Sequence, residues 1–210
     1  KIVKDRAFRG SVWLKNVIIS NSHSHLMFFT NMGRVYSKKA YLVPEAMEKL
    51  CKANDILRKK RLDLHLVVYD AARPRSIQQQ MWNVVENTEL QDFVANPNKS
   101  GGGPHNYGVA VDLTIADKDG RPLDMGTPFD HFERTAWVGD GVNTTLSHFK
   151  KYIAQMKDRG LISAEAAANR TLLVEIMDAV GLRPYAKEWW HYQERVTMSR
   201  TRELYKLLDF

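Results

Sequence analysis

The sequence predicts an α+β fold, and three observations predict it. Two runs, LDLHLVVYD (62–70) and GVAVDLTIAD (108–117), are rich in apolar and β-branched residues and alternate as strands do. Residues 43–60, 76–87, 145–159 and 163–180 read as helices. Strands and helices alternate only imperfectly along the chain and one strand pair reads as adjacent, which disfavours a doubly wound parallel sheet.

Taken in order, VWLKNVIIS from Val12 and HLMFF (25–29) are β-rich. The first helix carries Met47, Leu50, Cys51, Ile56 and Leu57 at roughly helical spacing, and Pro44 suits its first turn, where a missing N–H costs nothing. The strand ending at Asp70 is broken by Arg73 and Pro74, and the helix that follows has Ser76 as its candidate N-cap. Residues 97–104, rich in Gly, Asn and Ser, form a loop before the strand at 108–117, and KDGRPLD turns the chain out of that strand. After a second loop at 139–143, Ser163 and Glu165 give a weak start signal to the last long helix and Gly181 gives its natural end. Residues 196–208 suit a helix or irregular structure equally.

A length of 210 residues predicts one domain, 1–210. A hydrophobic content of 44% beside 26% charged residues is enough for a real core in a soluble protein. No apolar run approaches the ~18 residues of a membrane span, so no integral membrane segment is expected. The single cysteine, Cys51, excludes an intrachain disulfide; beside Met47 and Leu50 it is expected in the core. The net charge of +7 raises the question of a polyanionic partner. Yet the basic residues are scattered, at 38–39, 58–61 and 150–151, with no helix-turn-helix or aromatic platform, so nucleic acid is not expected. Because the chain opens on Lys1, a removed N-terminal leader and a periplasmic or cell-envelope location are expected, with the cytoplasm as the alternative. The oligomeric state is left open.

The chemistry concentrates in two stretches. In GGGPHNYGVAVDL (101–113), Val109, Val111 and Leu113 share one face of a strand, while Ala110, Asp112 and Thr114 share the other. Asp112 can then point into a cleft, although a solvent-facing acid would look the same, and His105 alone reads as a loop histidine. In KEWWHY (187–192), Glu188 and His191 stand three apart around Trp189 and Trp190, as they would in a walled, water-poor site. Together His105, Asp112 and His191 supply two imidazoles and one carboxylate, a set suited to one catalytic Zn²⁺ with an open fourth position. Glu188 would sit near the water there and accept its proton. The spacing HxxxxxxD is not specific by itself.

Four motifs add specificity: YDAARP (69–74), HNYGVAVDLT (105–114), DMGTPFD (124–130) and EWWHY (188–192). In these, in their order and in their separations over residues 35–192, the chain resembles the VanX-type zinc D-alanyl-D-alanine dipeptidases of the M15 metallopeptidase family. The resemblance implies a mixed, mainly antiparallel sheet flanked by helices, of the hedgehog/DD-peptidase kind. It implies zinc on His105, Asp112 and His191, with Glu188 as general base. It implies that Arg73 stabilises the transition state and that Asp130 recognises the ammonium group of a small dipeptide substrate. Asp70, three residues before Arg73, either orients it or is structural. The activity implied is hydrolysis of D-Ala-D-Ala to two D-alanines, in cell-wall peptide turnover or D-alanine salvage. The alternatives are a stem-peptide carboxypeptidase or endopeptidase of the same fold and a zinc-stabilised module that binds wall peptides. The second is disfavoured because binding needs neither Glu188 nor Arg73. One departure stands out: the family often has Ser where this chain has Gly103, so a substrate-holding hydroxyl is missing unless a backbone N–H substitutes. His23 and His25 are expected to be non-catalytic, and His65 to be a satisfied core or edge residue; His131 and His148 are given no role.

Overall fold

Pro44 opens the first helix, as the sequence predicts, and α1 runs Pro44–Lys60 with Glu45 in its first turn and three basic residues in its last, matching the helix dipole at both ends. Ala46, Leu50, Ala53 and Leu57 form its buried stripe. Cys51 lies at the edge of that stripe and is half-buried rather than core, with burial and the nearby Asp55 raising its thiol pKa. The computed structural model describes residues 3–4, 25–29, 35–39, 42–89, 91, 94–99 and 101–208, with the backbone alone before residue 42. The β-rich run from Val12 and His23 lie outside the described residues.

A three-stranded sheet joins β1 (Val3–Lys4), β2 (His25–Phe29) and β3 (Val35–Lys39), with β1 parallel and β3 antiparallel to β2. The larger sheet is antiparallel throughout. It comprises β4 (Leu64–Asp70), β5 (Ala110–Asp117), β6 (Leu182–Pro184) and β7 (His191–Glu194) in the order β4-β5-β7-β6. Four further helices accompany it: α2 (Arg75–Val85), α3 (Leu146–Asp158), α4 (Ala164–Ala179) and α5 (Met198–Leu204). The α+β class therefore holds. Among the described residues no helix is long and apolar enough to cross a membrane.

Strand β5 is central and buried almost end to end. Val111, Leu113 and Ile115 enter the main core beside Leu57 of α1 and Leu173, Ile176 and Met177 of α4. Its alternation thus separates a core face from a site face, both screened from water. α4 begins as the weak signal indicates, Ser163 Oγ accepting from Ala166 N at 2.9 Å, and ends before Gly181, whose φ of +81° is the left-handed stop.

Two local expectations fail, and one open reading is decided. α2 is capped by Pro74 and begins at Arg75, so Ser76 is not its N-cap; the proline supplies the fixed φ that opens the helix. His65 is half-buried in β4 with no partner for Nε2, and burial lowers its pKa, so it is a neutral and unsatisfied strand residue. The ambiguous tail is helical at α5, where Thr197 Oγ1 accepts from Arg200 N. Beyond α5 the chain folds back: Leu208 N donates to Asn106 O at 2.8 Å, and Leu208 O accepts from Arg75 N at 3.0 Å.

Candidate active site

Three acidic or imidazole side chains lie in one row across the sheet. Asp112 of β5 is the register partner of His191 in β7 and of Asp70 in β4. The second pairing depends on an irregularity. From Leu64 to Val68 the β4–β5 register is regular, with Val68 opposite Leu113; it then shifts by one so that Asp70 faces Asp112. An unbroken ladder would have set Tyr69 there. Tyr69 is the extra residue of a β-bulge, which re-aims Asp70 towards the site face.

His105 reaches the same point from a 3-10 turn, Pro104–Tyr107. That turn is sewn to the segment after β4. Arg73 N donates to His105 O at 3.0 Å, and the buried Asn106 donates from Nδ2 to Arg73 O at 2.8 Å while accepting from Gly103 N through Oδ1 at 2.8 Å. No motif pointed to Asn106; its signal is its position next to His105, where a buried amide can satisfy two backbone strands at once.

The described residues contain one His/Cys/Asp/Glu cluster able to hold a metal ion: His105, Asp112 and His191. His105 Nδ1 lies 2.6 Å from Ala71 O, and a carbonyl can only accept, so Nδ1 carries the hydrogen and Nε2 keeps the lone pair. His191 Nε2 lies 3.2 Å from Gln193 Oε1, which likewise leaves the lone pair on Nδ1. These two free nitrogens are 3.1 Å apart and stand 3.3 and 3.1 Å from Asp112 Oδ1. Asp112 Oδ1 is buried, and no well-aligned hydrogen bond reaches it. Three electron-rich atoms so close repel one another unless a cation lies between them. A tetrahedral ion with bonds of about 2.0–2.1 Å needs ligand–ligand edges of about 3.3–3.4 Å, so the triangle fits with little adjustment. Burial opposes the charge on Asp112, yet in the metal-free site a proton on either facing imidazole nitrogen would hold its carboxyl well below the usual range.

A cavity of about 210 Å³ opens over this triangle and is lined in part by Arg73, Gln78, Asp130, Glu188 and Trp190. Glu188 follows a tight turn in which its N–H donates to Tyr185 O, and its Oε2 lies 3.8 Å from His191 Nδ1. Burial, with some help from Asp112, pushes its carboxyl up to about 7. Both tryptophans are buried. Trp190 lies edge-on to Phe129 and Phe132 and walls the site as expected, whereas Trp189 packs in the core, its Nε1 donating to Thr127 Oγ1, and does not line the cavity. Arg73 donates from Nε and Nη2 to Asp70 Oδ2, at 2.9 and 2.6 Å, and its Nη2 stands 3.7 Å from Asp112 Oδ2. Asp70 therefore contacts Arg73 directly.

Asp130 belongs to the cavity but is exposed, at its rim, and its backbone is left-handed with φ of +60°. Desolvation and the nearby Asp112 still push its carboxyl up to about 6. The loop that carries it is tied to α4, where Arg170 Nε donates to Met125 O at 2.7 Å and Asn169 Nδ2 to Asp124 O at 2.8 Å.

Gly103 is explained by close approach: a Cβ there would lie 2.9 Å from the Ala95 methyl. A serine would need the segment around Ala95 to retreat. Nor can the Gly103 N–H replace the missing hydroxyl, since Asn106 Oδ1 already accepts it.

Comparison with known proteins agrees with this geometry. The peptidase M15 family model, described as D-ala-D-ala dipeptidase, matches residues 23–145 and 149–203. A D-alanyl-D-alanine dipeptidase of Escherichia coli (strain K12) is 30% identical over 131 residues, which is 62% of this chain and 55% of that protein. One from Synechocystis sp. is 26% identical over 154 residues (61% and 59%), and one from Enterococcus faecium is 30% identical over 112 residues (51% and 43%). The chain thus spans about half the length of the curated relatives it matches. With the family model covering most of the sequence, and the motifs that resemble the family meeting in one cavity, the chain belongs to the D-Ala-D-Ala dipeptidase family of M15 peptidases.

Proposed function

We propose that the protein is a zinc-dependent dipeptidase that hydrolyses D-Ala-D-Ala to two D-alanines. The observation that carries this reading is the triangle of His105 Nε2, Asp112 Oδ1 and His191 Nδ1, with the Glu188 carboxylate 3.8 Å from its edge. Two neutral imidazoles and one carboxylate at tetrahedral spacing favour Zn²⁺ over the harder ions that prefer all-oxygen sites. When bound, zinc supplies Lewis acidity, making water acidic near neutral pH and polarising a carbonyl.

The chain's own groups do the rest. Glu188, with its carboxyl pushed up to about 7, can take a proton from the attacking water and return it to the departing amine. Arg73, pinned beside Asp112, can counter the negative charge that grows on the scissile carbonyl oxygen. Asp130 at the rim can pair with the substrate's ammonium. Charge supports a cation at the triangle. Asp70, Asp112, Asp130 and Glu188 face one guanidinium, an excess of three negative charges of which a divalent ion would offset two. We place the activity in cell-wall peptide turnover or D-alanine salvage, in the periplasm or cell envelope where wall fragments are released.

A substrate panel with zinc-loaded protein tests the proposal: D-Ala-D-Ala, L-Ala-L-Ala, N-acetyl-D-Ala-D-Ala and a stem pentapeptide. Hydrolysis confined to the free D-dipeptide is expected. Equal rates on free and acetylated dipeptide, or cleavage of the pentapeptide alone, would move the function to a carboxypeptidase or endopeptidase of the same fold.

A further inference from the structure

We infer that Gln78 is a positioning residue that fixes the plane of the Arg73 guanidinium; the kinetic side of this inference rests on the dipeptidase reading above. Gln78 is the buried residue of α2, 1% exposed, on a helix whose other residues are half-buried or exposed. A buried helical position ordinarily takes an apolar side chain, because an amide there costs stability unless both of its ends are bonded. Here both ends are. Oε1 accepts from Arg73 Nη1 at 3.1 Å, and Nε2 donates to Ala95 O at 2.7 Å. Chemistry fixes which end is which: a guanidinium can only donate and a carbonyl can only accept.

Arg73 needs this third contact. Its Nε and Nη2 both donate to one oxygen of Asp70, because the other, Oδ1, accepts from Ala71 N at 2.8 Å. A two-oxygen fork would hold the guanidinium plane, whereas a single oxygen acts as a pivot about which the group can rock. Gln78 holds the far side, at Nη1. With both contacts in place, Nη2 stays on the Asp112 edge of the cavity, 3.7 Å from Oδ2. A donor meant for a developing oxyanion loses its effect when its direction is not fixed beforehand. Asp70 and Gln78 thus hold Arg73 as a pair, one carboxylate on one side and one amide on the other.

The test compares Gln78→Met with Gln78→Glu in the full chain, reading bound metal, steady-state kinetics on D-Ala-D-Ala, and rotation of the Arg73 Nη groups by arginine side-chain NMR. In Gln78→Met the metal content should match wild type, Arg73 rotation should speed up, and kcat should fall about tenfold to a hundredfold with KM changed less than about twofold. Gln78→Glu still offers Nη1 an acceptor, although it loses the donor to Ala95 O. It should keep Arg73 rotation slow and retain more activity than the Met variant. If Gln78→Met does not fold, Gln78→Ser, which admits water in the amide's place, carries the same expectations. A kcat within about twofold of wild type in the Met or Ser variant overturns the inference. So does equal impairment of that variant and Gln78→Glu with Arg73 still slow in both, since the amide would then act only through Ala95. A wild-type protein inert towards the dipeptide would refute the dipeptidase reading instead, and the NMR comparison would still decide whether Gln78 holds Arg73.

Discussion

The metal half of the cavity and the half proposed to recognise substrate are built differently. His105, Asp112 and His191 are 5%, 3% and 8% exposed, and two of them are direct register partners in adjacent strands. Asp130, on the other side, stands exposed on a loop, with its backbone in the left-handed region. A metal tolerates only a few tenths of an ångström of error in its ligands, and a sheet register supplies that precision. A recognition group can sit on a loop because pairing with an ammonium tolerates more variation. Chemistry and specificity can therefore change independently.

The largest break comes from the sheet. Replacing His191 or Asp112 by Ala should abolish both metal binding and activity, seen as loss of stoichiometric zinc after dialysis. Glu188→Gln comes next: it should retain zinc and lower kcat by about 10²–10⁴-fold, and a variant that loses zinc instead would make Glu188 a ligand. Arg73→Ala should also keep zinc and lower kcat by about 10²–10³-fold, whereas a near-normal kcat would return Arg73 to a structural role. At the rim, Asp130→Asn should cost only about tenfold in kcat/KM for the free dipeptide and narrow its advantage over the acetylated one. An effect on zinc content there would contradict the separation of the two halves.

The smallest effect is a pH dependence of stability in chelated protein. Glu188 ordinarily titrates at 4.5 but is pushed up to about 7 in the fold. Between those values the folded chain holds a proton that the unfolded chain has released, so stability should fall as pH rises through that window. Asp130, pushed up to about 6, acts in the same sense. His105, whose pKa is also raised because Asp112 outweighs burial, adds to the fall above its ordinary 6.5. Thermal melts of chelated wild type and Glu188→Gln across pH 4.5–7.5 would read this, with the flatter profile expected for the variant.

Much of this was legible in the sequence, for physical reasons. The strand at 108–117 announces itself by alternation, and the same alternation separates Asp112 from the core valines. The long helices show through their apolar spacing. By contrast, β6 has three residues, and β7 begins at a histidine after two tryptophans, so neither has a periodicity to detect. Ser76 misled because a proline two residues earlier sets the helix start without any side-chain bond. Gln78, Asn106 and Gln193 were invisible because their roles depend on partners brought near by folding: Ala95 and Arg73, Gly103 and Arg73, and a ring nitrogen of His191.

The bulge at Tyr69 has a consequence for how this site can change over evolutionary time. Because it shifts the ladder by one, the position of Asp70 depends on a count of residues as much as on their identity. Substituting Tyr69 leaves that count intact. Inserting one residue between Val68 and Asp70, with the bulge kept, would slide Asp70 from Asp112 to Val111, turn it to the opposite face and take the pivot from Arg73. The segment should therefore accept point changes more readily than insertions, so that descendants of this chain can vary in composition here without growing longer.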